Sequence, residues 1–230
     1  MSIADNIARV RERMEAAARR AGRRPEEVRL VAVSKTVDAD RVRQAVEAGV
    51  KCLGENYIQE AQKKIADLGP GIDWHFIGHL QTNKAKVAVR WFDLIHSVDS
   101  LRLAEELNRV ARQQKKILPI LLQVNLGQEE TKFGAKESEV IRMLEKISHL
   151  EGISVKGLMA MPPFIEDPEE SRPFFKELKK MAEAIARQRI PAIGMEELSM
   201  GMSNDFEAAI EEGATLVRVG TAIFGPRPGK

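Results

Sequence analysis

Lys35 is the first residue of this chain that invites chemistry. It lies at the end of the run Leu30-Val31-Ala32-Val33-Ser34-Lys35-Thr36, whose β-branched character reads as a strand. By the two-residue period of a strand, Lys35 shares a face with Val31 and Val33. A lysine on an apolar face is unusual, because an ammonium group is costly to bury without a partner. Burial or a nearby cation lowers its pKa, and the free amine is the form that attacks a carbonyl carbon to make a Schiff base. The plainer alternatives are a carboxylate partner or a side chain that reaches solvent.

Two later segments offer a different chemistry. They are Ser199-Met200-Gly201-Met202-Ser203-Asn204-Asp205 and Arg218-Val219-Gly220-Thr221-Ala222-Ile223-Phe224-Gly225. Gly201 and Gly220 let backbone N–H groups approach an anion. Ser203 and Thr221 add hydroxyl donors, and residues 203–206 open a helix whose N-terminal N–H groups favour negative charge. Together these read as phosphate-binding loops, although each alone could be a turn or an ordinary N-cap. Arg218 shares a face with Leu216 and Gly220 and needs an acceptor there. That acceptor is either a carboxylate such as Glu55 or a ligand's ring nitrogen or phosphate.

A Schiff-base lysine, a phosphate cup and an arginine at one place suggest pyridoxal 5′-phosphate. An arginine does not give up its proton. It would donate to an unprotonated ring nitrogen and leave the ring a poor electron sink. The same lysine and phosphate logic also fits a Schiff-base aldolase acting on a sugar phosphate.

The elements around these residues place them together. Strands are predicted at Arg29–Thr36, Lys51–Glu55, Trp74–Gly78, Leu94–Val98, Leu118–Asn125, Val155–Met161, Glu197–Met200 and Leu216–Val219. Helices are predicted at Ala39–Ala48, Ile58–Leu68, Thr82–Trp91, Ser100–Lys115, Lys136–Leu150, Pro168–Arg189 and Asp205–Glu212. Strict alternation implies a parallel sheet. The fold class expected is α/β, a single closed (β/α)8 barrel over residues 1–230, with Ser2–Arg20 as an extra N-terminal helix. An open sheet with one or two strands miscounted is the alternative. In such a barrel, active sites form at the C-terminal strand ends, and phosphate sites form after strands seven and eight. Those are the positions of Lys35, Ser203 and Gly220.

Composition excludes several other classes. The 230 residues carry 36 Lys and Arg against 34 Asp and Glu, a net charge of +2, which argues against a nucleic-acid binder. The longest apolar run, Ile117–Leu122, contains a proline and is too short for a membrane span. A single cysteine, Cys52, excludes an intramolecular disulfide and a multi-cysteine metal site, and points to the cytoplasm. Arg19, Arg20, Arg23 and Arg24 read as a solvated helix end. His75 and His79 straddle a strand end and a turn, so no metal is expected there, and His96 and His149 read as ordinary. Met159, Met161, Pro162 and Pro163 should wall the pocket. Lys132, in the polar loop with Glu129, Glu130 and Thr131, reads as a solvated residue or a lid contact.

Five motifs fall in order on separate strands: Val31-Ala-Val-Ser-Lys35-Thr, Gly54-Glu-Asn56-Tyr-Ile-Gln-Glu, Trp74-His-Phe-Ile-Gly-His79-Leu-Gln-Thr-Asn-Lys84, Glu197-Leu-Ser-Met-Gly-Met-Ser203-Asn-Asp205 and Val217-Arg218-Val-Gly220-Thr221-Ala-Ile-Phe-Gly225. With them the chain resembles the pyridoxal phosphate homeostasis (YggS/PROSC) family over nearly its whole length. Those proteins look like the barrel domain of alanine racemase, a type III pyridoxal-phosphate fold, without its second domain. The resemblance implies that Lys35 carries the cofactor as a Schiff base. It implies that Ser203 and the backbone N–H groups of Gly220 and Thr221 hold the phosphate, and that Arg218 faces the pyridine nitrogen. Asn56 would lie beside the ring, with His79 and Met200 lining the mouth. The implied function is binding of the cofactor and balancing of its cellular supply, without robust catalysis. The alternative is a low-activity amino-acid racemase. Two-base racemisation needs a group on each face of the cofactor, and the chain has one tyrosine, Tyr57, for the second. The partners expected are pyridoxal phosphate and apo-enzymes that use it, and the chain is expected to be a monomer.

Overall fold

Segments such as Cys52–Glu55 and Leu94–Val98 are buried at every residue, the pattern of strands covered on both faces. The structure is a computed structural model that describes residues 2–126, 133–163 and 165–226. The strands are β1 (Arg29–Val33), β2 (Cys52–Glu55), β3 (Asp73–Phe76), β4 (Leu94–Val98), β5 (Leu118–Asn125), β6 (Ala135–Lys136), β7 (Ile153–Ala160), β8 (Ile193–Met202) and β9 (Leu216–Val219). All except β6 run side by side in parallel, each pairing with the next. Residues Arg29–Ala32 of β1 then pair with Leu216–Val219 of β9 and close the barrel. The two-residue β6 pairs with Val124 and Asn125 at the end of β5. The expected (β/α)8 barrel is therefore the observed fold.

The helices are α1 (Ile3–Arg20), α2 (Ala39–Glu47), α3 (Ile58–Leu68), α4 (Ala85–Trp91), α5 (Leu101–Gln113), α6 (Glu137–Ile147), α7 (Arg172–Gln188), α8 (Phe206–Glu211) and α9 (Thr221–Phe224). The extra helix α1 starts at a reciprocal cap, in which Ser2 Oγ accepts from Asp5 N–H and the Asp5 carboxylate accepts from Ser2 N–H. Its buried stripe Ile3, Ile7, Val10, Met14 packs against α2, α8 and α9. The arginine cluster after it is only partly solvated. Arg23 Nη1 donates to the carbonyls of Ile210 and Ala214 at 2.8 Å and ties α1 to the end of α8.

Alternation divides the apolar residues into two cores. One lies between the barrel wall and the helices. The other, inside the barrel, is Val31, Cys52, Leu94, Leu121, Met159 and Leu216. Burial pushes the Cys52 thiol pKa up, so the thiol stays protonated and inert.

The structure moves several expected boundaries. β1 stops at Val33 rather than Thr36, because the chain leaves the ladder at Ser34 and turns at Thr36, where φ is +63°. β8 runs to Met202, so Ser199, Met200 and Gly201 belong to the strand and the loop begins at Ser203. Gly201 has φ +86°, and a Cβ there would lie 2.5 Å from Ala209 Cβ. Glycine thus lets the end of β8 rest on α8. Residues 82–91 split into a 3-10 turn (Thr82–Lys84) and α4, and 168–189 into a 3-10 turn (Pro168–Ser171) and α7. Among the described residues no helix is long and apolar enough to cross a membrane, and no group of His, Cys, Asp and Glu could hold a metal ion.

Candidate cofactor site at the barrel mouth

The C-terminal ends of the strands surround a cavity of about 230 Å³. Lys35 enters it from the turn after β1, Asn56 from the end of β2, Arg218 from β9 and Ser203, Gly220 and Thr221 from the loops after β8 and β9. These six residues were singled out from the sequence, and the fold brings them to one place. Met161, Pro163 and Ile165 after β7 form a wall. Met159 does not join them, being buried inside the barrel.

Two expected residues lie elsewhere. Met200 is fully buried in the layer between wall and helices, because its parity on β8 is opposite to that of inward-facing Ser199. His79 lines a wider adjoining cavity of about 540 Å³, together with Tyr57. The His79 ring stacks on Phe133, with centroids 3.7 Å apart, and its Nδ1 lies 3.6 Å from Asp99 Oδ2. The two cavities share Asn56, Ile77 and Met161. Lys132 and its loop lie outside the described residues.

The candidate anion cup, made by the loops after β8 and β9, is a small hydrogen-bonded assembly. Ser203 Oγ accepts from the N–H groups of Gly220 at 3.2 Å and Ala222 at 3.3 Å. The Gly220 N–H is thus engaged in tying the two loops together rather than pointing outward. Ser203, Asn204, Asp205, Gly220 and Thr221 are what these loops bring to the cavity. Asp205 Oδ1 accepts from Met202 N–H at 2.6 Å, and Asn204 Nδ2 donates to the carbonyls of Ile165 and Glu166. Asn204 therefore anchors the β7 wall to the cup.

Arg218 is 4% exposed. It does not pair with Glu55, the structural alternative raised by the sequence. Its Nη1 donates to Ser199 Oγ and its Nη2 to the Ala160 carbonyl at 3.0 Å. Ser199 Oγ lies 2.8 Å from His96 Nδ1, and His96 Nε2 lies 2.9 Å from His75 Nδ1. A polar chain therefore crosses the barrel from β9 through β8 and β4 to β3. Burial drives the His75 pKa down to about 3, aided by Arg29, and drives His96 well below the usual range, aided by His75 and Arg218. Both rings are neutral at pH 7 and supply no anion. Burial also lowers the Arg218 pKa to about 10, against the opposing pull of Asp205. The guanidinium remains charged, and among the described residues it has no ion pair.

The sequence reading missed this chain, treating His96 as ordinary. The signal was present: His75 on β3, His96 on β4 and Ser199 on β8 share inward parity with Arg218 on β9. It also missed the residues behind Lys35. Lys64 Nζ meets Glu55 Oε1 at 2.7 Å and Glu60 Oε1 at 2.6 Å, with Lys64 and Glu55 both buried. The Glu60–Lys64 spacing of four marked one half of that cluster.

Asn56 gives a direct test of whether the cavity suits a polar ligand. Its Oδ1 is buried and without a hydrogen-bond partner among the described residues. An orphaned polar atom of this kind is costly unless something else meets it. A flat polar ring between Asn56 and Arg218, with an anion on Ser203 and Thr221, matches the donors and acceptors present.

Residues 5–228 match the family model described as alanine racemase, N-terminal domain. The pyridoxal phosphate homeostasis protein of Aquifex aeolicus is 41% identical over 228 residues, covering 99% of each chain. That of Escherichia coli (strain K12) is 42% identical over 229 residues, covering 98% of this chain and 97% of its own. The solved structure of PipY from Synechococcus elongatus, with PLP bound, is 38% identical with a TM-score of 0.86, covering 97% of this chain and 100% of that one. An alanine racemase of Clostridium difficile shares the fold at 16% identity, with a TM-score of 0.74, covering 98% of this chain and 58% of its own. The chain belongs to the alanine racemase N-terminal domain family and, within it, to the pyridoxal phosphate homeostasis proteins.

Proposed function

We propose that this chain binds pyridoxal 5′-phosphate and acts in its homeostasis, holding the cofactor through Lys35 with no robust turnover. The observation that carries the reading is the convergence of Lys35, Asn56, Ser203, Thr221 and Arg218 on one cavity. Ser203 and Thr221 would take the phosphate, Arg218 the pyridine nitrogen, Asn56 the ring edge and Lys35 the aldehyde carbon. Bound there, the cofactor would supply an electrophilic carbon joined to an electron-withdrawing ring.

The chain's own residues favour holding over turnover. Arg218 is kept a donor by its permanent charge, so a ring nitrogen opposite it stays unprotonated and withdraws electrons weakly. Tyr57 is 57% exposed and lines the adjoining cavity rather than the one that Lys35 enters. A second acid/base opposite Lys35 is therefore not supplied by Tyr57. Relatives of this chain are named homeostasis proteins rather than enzymes. The reading takes residues 1–230 as one cofactor-binding unit in the cytoplasm. The reading also takes the chain as a monomer that, because water reverses a lysine link, can pass the cofactor to apo-enzymes.

The test is the absorption spectrum of purified protein with added cofactor, followed by borohydride reduction and peptide mass spectrometry. A visible band and a pyridoxyl group on Lys35 are expected. A colourless, unlabelled protein would overturn the reading and favour a sugar-phosphate ligand. Racemisation of alanine or serine at ~1–1000 per second would overturn the absence of turnover.

Arg218→Ala is expected to keep the label on Lys35 but shift the absorption band and weaken cofactor retention by about tenfold or more. A hydrogen bond involving a charged group is worth ~1.5–3 kcal/mol. An unchanged spectrum and affinity would remove Arg218 from the site.

A further inference from the structure

The turn that presents Lys35 is held from behind. Thr36 has φ +63°, a left-handed conformation that a β-branched residue adopts only against strain. Its N–H donates to Glu60 Oε1 at 2.6 Å. Lys64 Nζ donates to the Ser34 carbonyl at 2.5 Å, to Glu55 Oε1 at 2.7 Å and to Glu60 Oε1 at 2.6 Å. Ser34 Oγ donates to Glu55 Oε1 at 2.6 Å. The residues before and after Lys35 are thus fixed by charged side chains of β2 and α3. None of Glu55, Glu60 and Lys64 lines the cavity.

Resting on the cofactor reading above, we propose that Glu55, Glu60 and Lys64 are positioning residues for Lys35. They hold the Ser34–Thr36 turn in its left-handed form, so that the lysine amine is aimed at the carbon it joins. In that reaction the Lys35 nitrogen bonds to the aldehyde carbon, and the aldehyde oxygen leaves as water with the two amine hydrogens.

A purely structural explanation accounts for less. A buried ion pair contributes little net stability compared with apolar side chains of similar size, because desolvation offsets the Coulomb gain. What apolar residues could not do is grip a carbonyl, a hydroxyl and an N–H of one turn at once. Lys64 with Glu60 is also the link between that turn and a helix of 11 residues, α3. The geometry of the turn is therefore coupled to a rigid element.

Glu60 is the residue to change, because its side chain is partly exposed and the fold should tolerate its loss. Wild type, Glu60→Ala and Glu60→Gln are titrated with pyridoxal 5′-phosphate and, separately, with pyridoxine 5′-phosphate. The second compound has an alcohol in place of the aldehyde and cannot join a lysine. Glu60→Ala should form the visible band about tenfold more slowly or weakly, in line with the cost of misplacing a reacting group. Its affinity for pyridoxine phosphate should not change. Glu60→Gln retains an oxygen for the Thr36 N–H and should recover most of the loss. Equal weakening toward both compounds would mean a damaged cavity, and a Glu60→Ala protein identical to wild type would mean a turn that holds itself. Either result overturns the inference while leaving the cofactor reading intact. A wild type that takes up neither compound overturns both.

Discussion

Lys35→Ala protein should stay colourless with added pyridoxal phosphate and carry no pyridoxyl group after borohydride reduction. Lys35 enters the cavity beside Ser203, Thr221 and Arg218. Removing its amine takes away the atom that would bond to the aldehyde carbon and leaves the other contacts standing. Noncovalent binding should therefore survive, with pyridoxine phosphate bound as tightly as by wild type. Lys35 is only half-buried, so stability should change by no more than about 0.5 kcal/mol, as for a residue outside the core. The check is mass spectrometry of the reduced protein beside a thermal melt. A label retained on another lysine would show that Lys35 is not the attachment point.

Lys64→Met should produce the largest loss of stability, about 3–5 kcal/mol near neutral pH, because breaking a buried pair leaves the other charge uncompensated. Glu55 is fully buried, and its Oε2 has no hydrogen-bond partner among the described residues. Burial holds the Glu55 carboxyl pKa above its ordinary value of 4.5, while the hydrogen bonds from Lys64 and Ser34 pull it down. Without Lys64 it rises further. A raised carboxyl pKa in the folded state stabilises the fold only while the group keeps its proton. That stability is lost as pH climbs from the unfolded value through the folded one. The gap between variant and wild type should therefore be smaller near pH 4.5 and widen toward pH 8. Urea unfolding across that range measures it. A gap that is flat or narrows with pH would mean that Glu55 is not left charged and unpaired.

Much of the molecule was legible in the sequence because its signals are local. Alternation of apolar runs and amphipathic segments gave the barrel, and motifs at strand ends gave Lys35, Ser203 and Arg218. What escaped was set by residues distant in sequence. Met200 was placed at the mouth by the family resemblance and not by its position on the strand. One residue of parity on β8 sends it to the opposite face, and only knowledge that β8 extends to Met202 fixes that parity. His96 looked ordinary because its partners, His75 and Ser199, come from other strands. The strand assigned through Thr36 ends at Val33 because Glu60 and Lys64, a helix away, draw the next residues into a turn. The two-residue period that aimed Lys35 into the barrel had no strand left to act on. The lysine still arrives at the cavity, by a turn that a pattern of apolar residues does not encode.

The barrel closes where β1 meets β9, and the lysine-bearing turn and the arginine lie on the two sides of that seam. During synthesis the first of these strands is made long before the last. On the proposed reading, a ribosome-bound chain would present Lys35 before Ser203, Arg218 and Thr221 are made, and uptake of the cofactor would await release of the final strand. Of the strand pairings, this seam joins the two most distant in sequence, so it carries the largest loop-closure entropy of the sheet. A ligand that touches both sides favours only the closed form, and so draws the folding equilibrium toward completion by mass action. On the proposed reading the cargo would act as a latch on closure of the barrel, and a cell short of the vitamin would carry the protein with that seam unsupported.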